Sequence, residues 1–188
     1  QLGIADAIVV NLPHGAAGHG SAGANDIATR FRDSFEGPVM EARVEARVEA
    51  IVEAIVEAGG SRGGVNSAAA ATLAGQRVLA LAGIANPTRF YDLLAALGAQ
   101  IVARAEFADH HAFSQADARG VLNEADGLGV RIVTTEKDWV RLAGGAGAVG
   151  ELAARAWPLP IRLVFEPRDA TRLAALIDAA LIERRRRA

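Results

Sequence analysis

The sequence predicts an α/β fold, a mostly parallel sheet flanked by helices, and three observations predict it. Short apolar runs suited to buried strands, at 78–82, 101–103 and 130–134, alternate with segments whose apolar residues recur at helical spacing. The connections between them are short and carry helix-start signals, an order that implies parallel strands joined by right-handed crossovers. Hydrophobic residues fill 51% of the 188 positions while aromatics fill 5%, so Ala, Val and Leu supply enough material for a packed core.

Along the chain, residues 4–11 form an apolar run, followed by Pro13 and a Gly/Ala/His-rich connection to about residue 25. Residues 26–35 suit a short helix that Gly37 and Pro38 end. Residues 41–58 repeat Glu-Ala-Arg-Val twice and then Glu-Ala-Ile-Val twice. Composition favours a helix there, but strict alternation favours a strand, and glutamates at 45, 49, 53 and 57 would repel at i,i+4 in a helix. The first half is therefore read as a strand, its charges as a solvated face. A Gly/Ser/Ala linker covers 59–75.

After the strand at 78–82, Asn86 suits an N-cap, Pro87 the first helical position and Gly98 the end, with Phe90, Leu93, Leu94 and Leu97 as the buried stripe. A strand at 101–103 leads to the loop 107–113. Ser114 and Asp117 then form a capping-box start for a helix with Ala118, Val121, Leu122 and Ala125 on one face. The strand 130–134 runs into another helix start, and 161–165 is a last strand. The final helix follows Pro167, with Leu173, Leu176, Ile177 and Leu181 on one side. This gives a division into 1–75 (the end of a core domain with a variable loop, repeat and linker) and 76–188 (an α/β C-terminal domain).

Composition excludes several classes of function. Twenty basic against 22 acidic residues leave a net charge of −2, which argues against nucleic-acid binding. The absence of cysteine removes disulfides and thiolate metal sites and is compatible with a reducing compartment. No apolar stretch is long enough to span a bilayer and no signal peptide is visible. The chain starts at Gln1 and enters a strand almost at once, so it is expected to be part of a larger protein.

In parallel α/β sheets functional groups gather where strands end and helices begin. Three segments occupy such places. In the first, Gly83-Ile84-Ala85-Asn86-Pro87, turn and cap signals account for most residues, with Asn86 a candidate for ligand contact. The second, Phe107-Ala108-Asp109-His110-His111, sets an acid beside two imidazoles, which can orient a proton carrier or bind a metal, or merely satisfy a polar loop. The third is Thr134-Thr135-Glu136-Lys137-Asp138. Thr135 and Asp138 fit a capping box, but Lys137 is a cation at a helix start, against the helix dipole, where an anionic ligand would compensate. His14 and His19 have no acidic partner at ligand spacing, and the run Arg184 to Arg187 complements the carbonyl end of the last helix or meets anionic lipid head groups.

Taken in this order, Ala82-Gly83-Ile84-Ala85-Asn86-Pro87 with Phe90, then Phe107-Ala108-Asp109-His110-His111, then Val133-Thr134-Thr135-Glu136-Lys137-Asp138 with Arg141-Leu142 resemble the closing half of the tetraacyldisaccharide 4'-kinases of lipid A assembly. The opening Ala5-Asp6-Ala7-Ile8-Val9-Val10-Asn11 is similar to the strand that begins that half. The resemblance implies the C-terminal part of a P-loop kinase-like fold. It also implies transfer of the ATP γ-phosphate, with Mg2+, to the 4' hydroxyl of a tetraacyl disaccharide 1-phosphate, the lipid A disaccharide precursor. By the same resemblance His110 pairs with a catalytic carboxylate from the preceding half and Asp109 neighbours it; Lys137, Glu136 and Asn86, at the helix starts, are the candidates for the substrate or phosphate vicinity. The implied setting is cytoplasmic, peripheral on the inner membrane of a Gram-negative bacterium, where an anionic membrane surface is a partner. The sequence departs from the pattern in lacking a Gly-x-x-x-x-Gly-Lys-Ser/Thr loop and an acidic pair suited to Mg2+. The missing N-terminal half of the kinase is therefore expected to be a partner, and the chain alone is expected to be inactive. Two alternatives stand beside this reading: a DHH-type metal-dependent phosphoesterase built on Asp109-His110-His111, and a non-catalytic binding module.

Overall fold

The computed structural model describes residues 5–12, 22–46 and 73–187, which fall into two compact units. The chain has the expected α/β fold.

One unit joins residues 1–45 with 162–188. Its described elements are β1 (Ile8–Leu12), α1 (Ala22–Ser34), β2 (Val39–Ala46), β7 (Ile161–Phe165) and α6 (Pro167–Arg187), with strand order β1-β2-β7. β1 and β2 run parallel from the pair Ile8/Val39 to the pair Leu12/Arg43. Val10, Leu12, Ala28 and Val39 form a small core, with Phe31 and Phe35 packed on it.

The start of the repeat is a strand, as its alternation requires, over residues 41–46; residues 47–58 lie outside the described residues, as do His14, His19 and linker residues 59–72. Each charged position of the described stretch meets an opposite charge. Glu41 pairs with Arg32 at 2.6 Å, Arg43 with Glu166 at 3.3 Å and Glu45 with Arg162 at 3.7 Å. The alternation thus places Ala42 in the interior and the charges in partly exposed ion pairs. β7 joins β2, so the last strand and helix belong with the N-terminal strands and not with the sheet that begins at residue 77. The sequence offered no sign of this, because strand pairing over such a separation leaves no local pattern.

The second unit spans 46–161. It contains β3 (Arg77–Ala82), α2 (Pro87–Ala96), β4 (Gln100–Glu106), α3 (Gln115–Leu128), β5 (Arg131–Thr135), α4 (Glu136–Leu142), α5 (Gly147–Arg155) and β6 (Trp157–Leu159). The four strands pair in parallel in the order β4-β3-β5-β6. β3 is central, and Val78 to Ala82 are all fully buried, as an apolar run with neighbours on both sides should be. Leu79 and Leu81 pack with Ala118, Val121, Leu122 and Ala125 of α3 and with Val149 and Leu152 of α5. At about 2 kcal/mol per fully buried leucine, this cluster is a principal source of the unit's stability.

Local signals explain the helix ends. The Ser114 hydroxyl accepts from Asp117 N at 3.1 Å, while the Asp117 carboxylate accepts from Ser114 N at 2.9 Å, closing a capping box. Gly129 ends α3 in the left-handed region, φ 61°. Asn86 stands at the cap position of α2 but makes no side-chain cap bond. Tyr91 joins Phe90, Leu93 and Leu94 in the buried face of α2, and Leu97 is only half-buried. In α6, Leu173 and Leu176 are half-buried, whereas Ile177 and Leu181 remain about half exposed.

Candidate active site

Topology marks one place on the four-stranded sheet. The chain leaves β3 towards β4 and leaves β5 in the opposite direction towards β6, so the carboxyl ends of β3 and β5 form the switch point at which sheets of this kind open a crevice. The three segments singled out in the sequence follow β3, β4 and β5, and two of them meet at this crevice around the side chain of Asp138.

Asp138 is completely buried. One of its carboxylate oxygens accepts from Gly83 N at 2.9 Å and from the Thr135 hydroxyl at 2.7 Å. The other accepts from Arg141 Nη1 at 3.0 Å. A buried carboxylate is tolerable only with such a set of donors. Thr135 caps α4 by accepting from Asp138 N at 3.1 Å, but the Asp138 carboxylate turns to Gly83 instead of closing the reciprocal half of a capping box. Gly83 has to be small: a Cβ there would lie 3.0 Å from the Asp138 carboxylate. Thr134, also buried, donates its hydroxyl to Leu81 O at 2.9 Å and fastens β5 to β3 just below.

Above this anchor lies an exposed polar cluster. Lys137, the chain's only lysine, donates to Asp109 at 2.9 Å. That carboxylate supplies the negative charge that a cation at a helix start requires, and the lysine beside it holds the Asp109 carboxyl below the usual range. Arg141 reaches from the last turn of α4. Its Nη1 donates to Gly83 O at 2.8 Å, and its Nη2 lies 3.1 Å from Nδ1 of His110 and 3.9 Å from Asp109. Nε2 of His110 lies 3.6 Å from the other Asp109 oxygen, too far for a hydrogen bond.

The two neighbouring histidines have different surroundings. His110 has φ 62°, the one described non-glycine residue in the left-handed region, and its side chain is 73% exposed. A non-glycine residue held there stores roughly 1 kcal/mol or more of strain. His111 is stacked on Phe107 at 4.8 Å with Phe113 edge-on at 5.5 Å, and its Nε2 lies 3.0 Å from Asp117. That bond, with the Ser114 amide and hydroxyl, holds the Asp117 carboxyl down to about 2. His111 therefore ties the loop to the start of α3.

Of the residues named from the sequence, Asp109, His110 and Lys137 come together. Glu136 does not join them, because its carboxylate accepts from Ile161 N at 3.1 Å. Asn86 is exposed at the start of α2, with its amide not spent on the cap. The sequence reading took Asp138 for a cap and gave no role to Arg141. Their spacing of three on one helix was the available signal, since it places the two side chains side by side. Among the described residues no group of acidic and imidazole side chains converges as a metal site. Asp109 is engaged by Lys137 and His111 by Asp117. No described helix is long and apolar enough to cross a membrane.

Comparison with known proteins gives one consistent result. The family model described as Tetraacyldisaccharide-1-P 4'-kinase matches residues 1–181. The tetraacyldisaccharide 4'-kinase of Nitrobacter winogradskyi is 35% identical over 184 residues, covering 98% of this chain and 46% of that protein. The enzyme of the same name from Rhizobium rhizogenes is 43% identical over 115 residues, 61% of this chain and 32% of that protein. The one from Rhodospirillum centenum is 45% identical over 101 residues, 54% of this chain and 28% of its own length. The chain thus spans less than half the length of these curated relatives. No solved structure matches it.

Proposed function

The chain belongs to the Tetraacyldisaccharide-1-P 4'-kinase family, and from that premise we propose that its strand-end crevice is the His110-bearing wall of a kinase active site. The reaction is transfer of the γ-phosphoryl group of ATP to the 4' hydroxyl of a tetraacyl disaccharide 1-phosphate in lipid A biosynthesis. The observation that carries this reading is the state of His110: an exposed imidazole on a strained backbone, gripped on one ring nitrogen and open on the other. Strain retained at a strand-end loop points to a task beyond packing.

The chemistry asked of this wall is modest. The attacking hydroxyl must lose a proton, and an acidic side chain from the rest of the kinase is the natural acceptor. The His110 Nε2 side makes no short bond within the cluster and is available to orient that carboxylate. Lys137 and Arg141 supply positive charge beside the place where phosphoryl charge develops. Asn86 offers an unspent amide at the neighbouring helix start; Glu136 faces Ile161 and is left out of the mechanism.

Among the described residues no cluster of acidic side chains suited to Mg2+ is assembled. The sequence contains no Gly-x-x-x-x-Gly-Lys-Ser/Thr loop, and the cluster's acidic groups are already engaged. In this reading nucleotide and metal are held by the remaining part of the kinase, and the isolated chain does not turn over. The substrate in this reading is a lipid, and the assembled enzyme works at the cytoplasmic face of the inner membrane. The exposed Arg184, Arg185 and Arg186 at the end of α6 suit anionic head groups there.

Two measurements test the proposal. Radiolabelled phosphate transfer by this chain alone should be at background, and robust turnover would overturn the division of labour. Joined to the N-terminal half of a family member, the chain should support transfer, and His110→Ala should then lower the rate by at least about 10²-fold. A loss of only a few-fold removes His110 from the chemistry.

A further inference from the structure

We infer that Arg141 is the positioning residue for His110, and that it does so by fixing the imidazole as the tautomer protonated on Nε2. The inference deepens the kinase reading and rests on it for its catalytic meaning, but its structural half stands on contacts within residues 83–141.

The chemistry follows from what a guanidinium can do. It carries five N–H donors and no acceptor, and it stays charged. An arginine nitrogen 3.1 Å from His110 Nδ1 can only donate, so Nδ1 presents its lone pair and the proton of the neutral ring sits on Nε2. Moving the proton to Nδ1 would remove that acceptor and set two N–H groups against each other. The open edge of the ring is therefore an N–H donor, the form needed to hold a carboxylate that is about to take a proton from a hydroxyl.

Arg141 is well placed to impose this state. It is only 20% exposed, and Nη1 is fixed twice, by Gly83 O at 2.8 Å and by the fully buried Asp138 at 3.0 Å. The planar fork then carries Nη2 to the imidazole in a set direction. The chain of contacts runs from the β3 end through Asp138 and Arg141 to a residue whose own backbone is strained, so the sheet itself determines where the ring lies. The charged groups facing His110 are Asp109 from its own loop and Arg141 from α4, with Lys137 acting through Asp109. A lysine at 141 keeps the charge but, as a single ammonium, cannot span Gly83 O, Asp138 and Nδ1 together.

The test is imidazole 15N spectroscopy on the full chain above pH 8, with His110 assigned by its loss in His110→Gln. The wild type should show a pyridine-like, hydrogen-bonded Nδ1 and a protonated Nε2. Arg141→Met and Arg141→Lys should both shift the two nitrogens towards tautomer-averaged values, while the His111 signals stay in place. In the assembled kinase Arg141→Lys should lower kcat about ten-fold or more with KM little changed. A protonated Nδ1 in the wild type overturns the inference even where neither variant folds, as does a pattern unmoved by either substitution. If the spectra behave as expected but His110→Ala leaves phosphate transfer intact, the positioning stands and the kinase role of His110 fails.

Discussion

The two rims of the four-stranded sheet offer opposite kinds of candidate. At the amino ends of β3, β5 and β6 lies a cavity of about 750 Å³, lined by Arg77, Arg131, Arg155, Asp126 and Trp157 among others. At the carboxyl ends stands the tethered cluster around Asp138. Volume favours the first rim and chemistry the second. Each arginine of the cavity has a local partner: Arg77 reaches Leu128 O at 3.4 Å, the Arg131 guanidinium lies over the Trp157 ring at 3.6 Å, and Arg155 pairs with Asp126. At the other rim the contacts end in an exposed ring with an open nitrogen. A hollow whose polar groups answer one another is packing; a converging set of contacts that leaves one group unanswered is the better sign of a site.

The largest effect that can break this contrast concerns Asp138. Asp138→Ala strips a buried carboxylate from Gly83 N, the Thr135 hydroxyl and Arg141, leaving donors unpaired in the interior. The second unit should lose about 3 kcal/mol in urea unfolding. If the loss is near zero, the cluster is not anchored as described and the carboxyl rim is no better organised than the cavity.

At the cavity rim the corresponding structural element is Gly129, which ends α3 at φ 61° with open space where a Cβ would point. Gly129→Ala should cost about 1 kcal/mol through backbone strain alone. In an assembled kinase it should leave phosphate transfer untouched. A drop in transfer that exceeds the loss of folded protein would give the cavity rim a function.

How far these rims were legible in the sequence depends on the range of the interactions. The capping pair of Ser114 with Asp117 is local and was readable as written. So was the strand character of residues 41–46, because alternation of period two is itself local. The partnership of Asp138 with Gly83 spans 55 positions and that of Arg141 with His110 spans 31, and no periodicity records either. β6 escaped because it is three residues long and contains Pro158, which an edge strand tolerates but a strand pattern does not advertise. α5 begins at Gly147 and contains Gly150, both weak helix formers that hide its Val149 and Leu152 face. The bond from Ile161 N to Glu136 spans 25 positions, and nothing in the neighbours of Glu136 tells which of several loops its side chain will meet.

Acid sharpens the comparison through two carboxylates, one on each rim. Asp117 has its carboxyl held down to about 2 by His111 first and Ser114 second, and Asp126 is lowered by Arg155. A carboxyl whose folded value is depressed stabilises the fold above its unfolded value, near 4, and that contribution is lost as pH falls towards the folded value. Stability should therefore drop between about pH 4 and pH 2, and Asp117→Asn should make that drop shallower. Asp126→Asn should do the same to a smaller degree, since the partly exposed pair with Arg155 is screened by solvent and salt. Only the Asp117 variant should also disturb His111 and with it the loop that carries His110. Urea midpoints measured across that range in the two variants separate a shared acid response from a site-specific one; equal effects on the loop's amide signals would erase the distinction.

The smallest expected effect tests the cavity directly. Arg131→Ala removes the cation stacked on Trp157 and opens the hollow further, yet removes none of the contacts that join Gly83, Asp138, Arg141 and His110. Burial already lowers the Arg131 guanidinium from its ordinary value, so its loss relieves a desolvated charge while forfeiting a stacking contact worth roughly 0.5–1 kcal/mol. These opposing terms predict little change in stability, and phosphate transfer in the assembled kinase should stay within about two-fold because no contact links this rim to His110. Steady-state rates at saturating and at limiting substrate resolve the two ways this could go wrong. A raised KM alone would make the cavity a substrate contact, and a lowered kcat would mean that the two rims communicate through β3 and β5, whose central residues are packed too tightly to move independently.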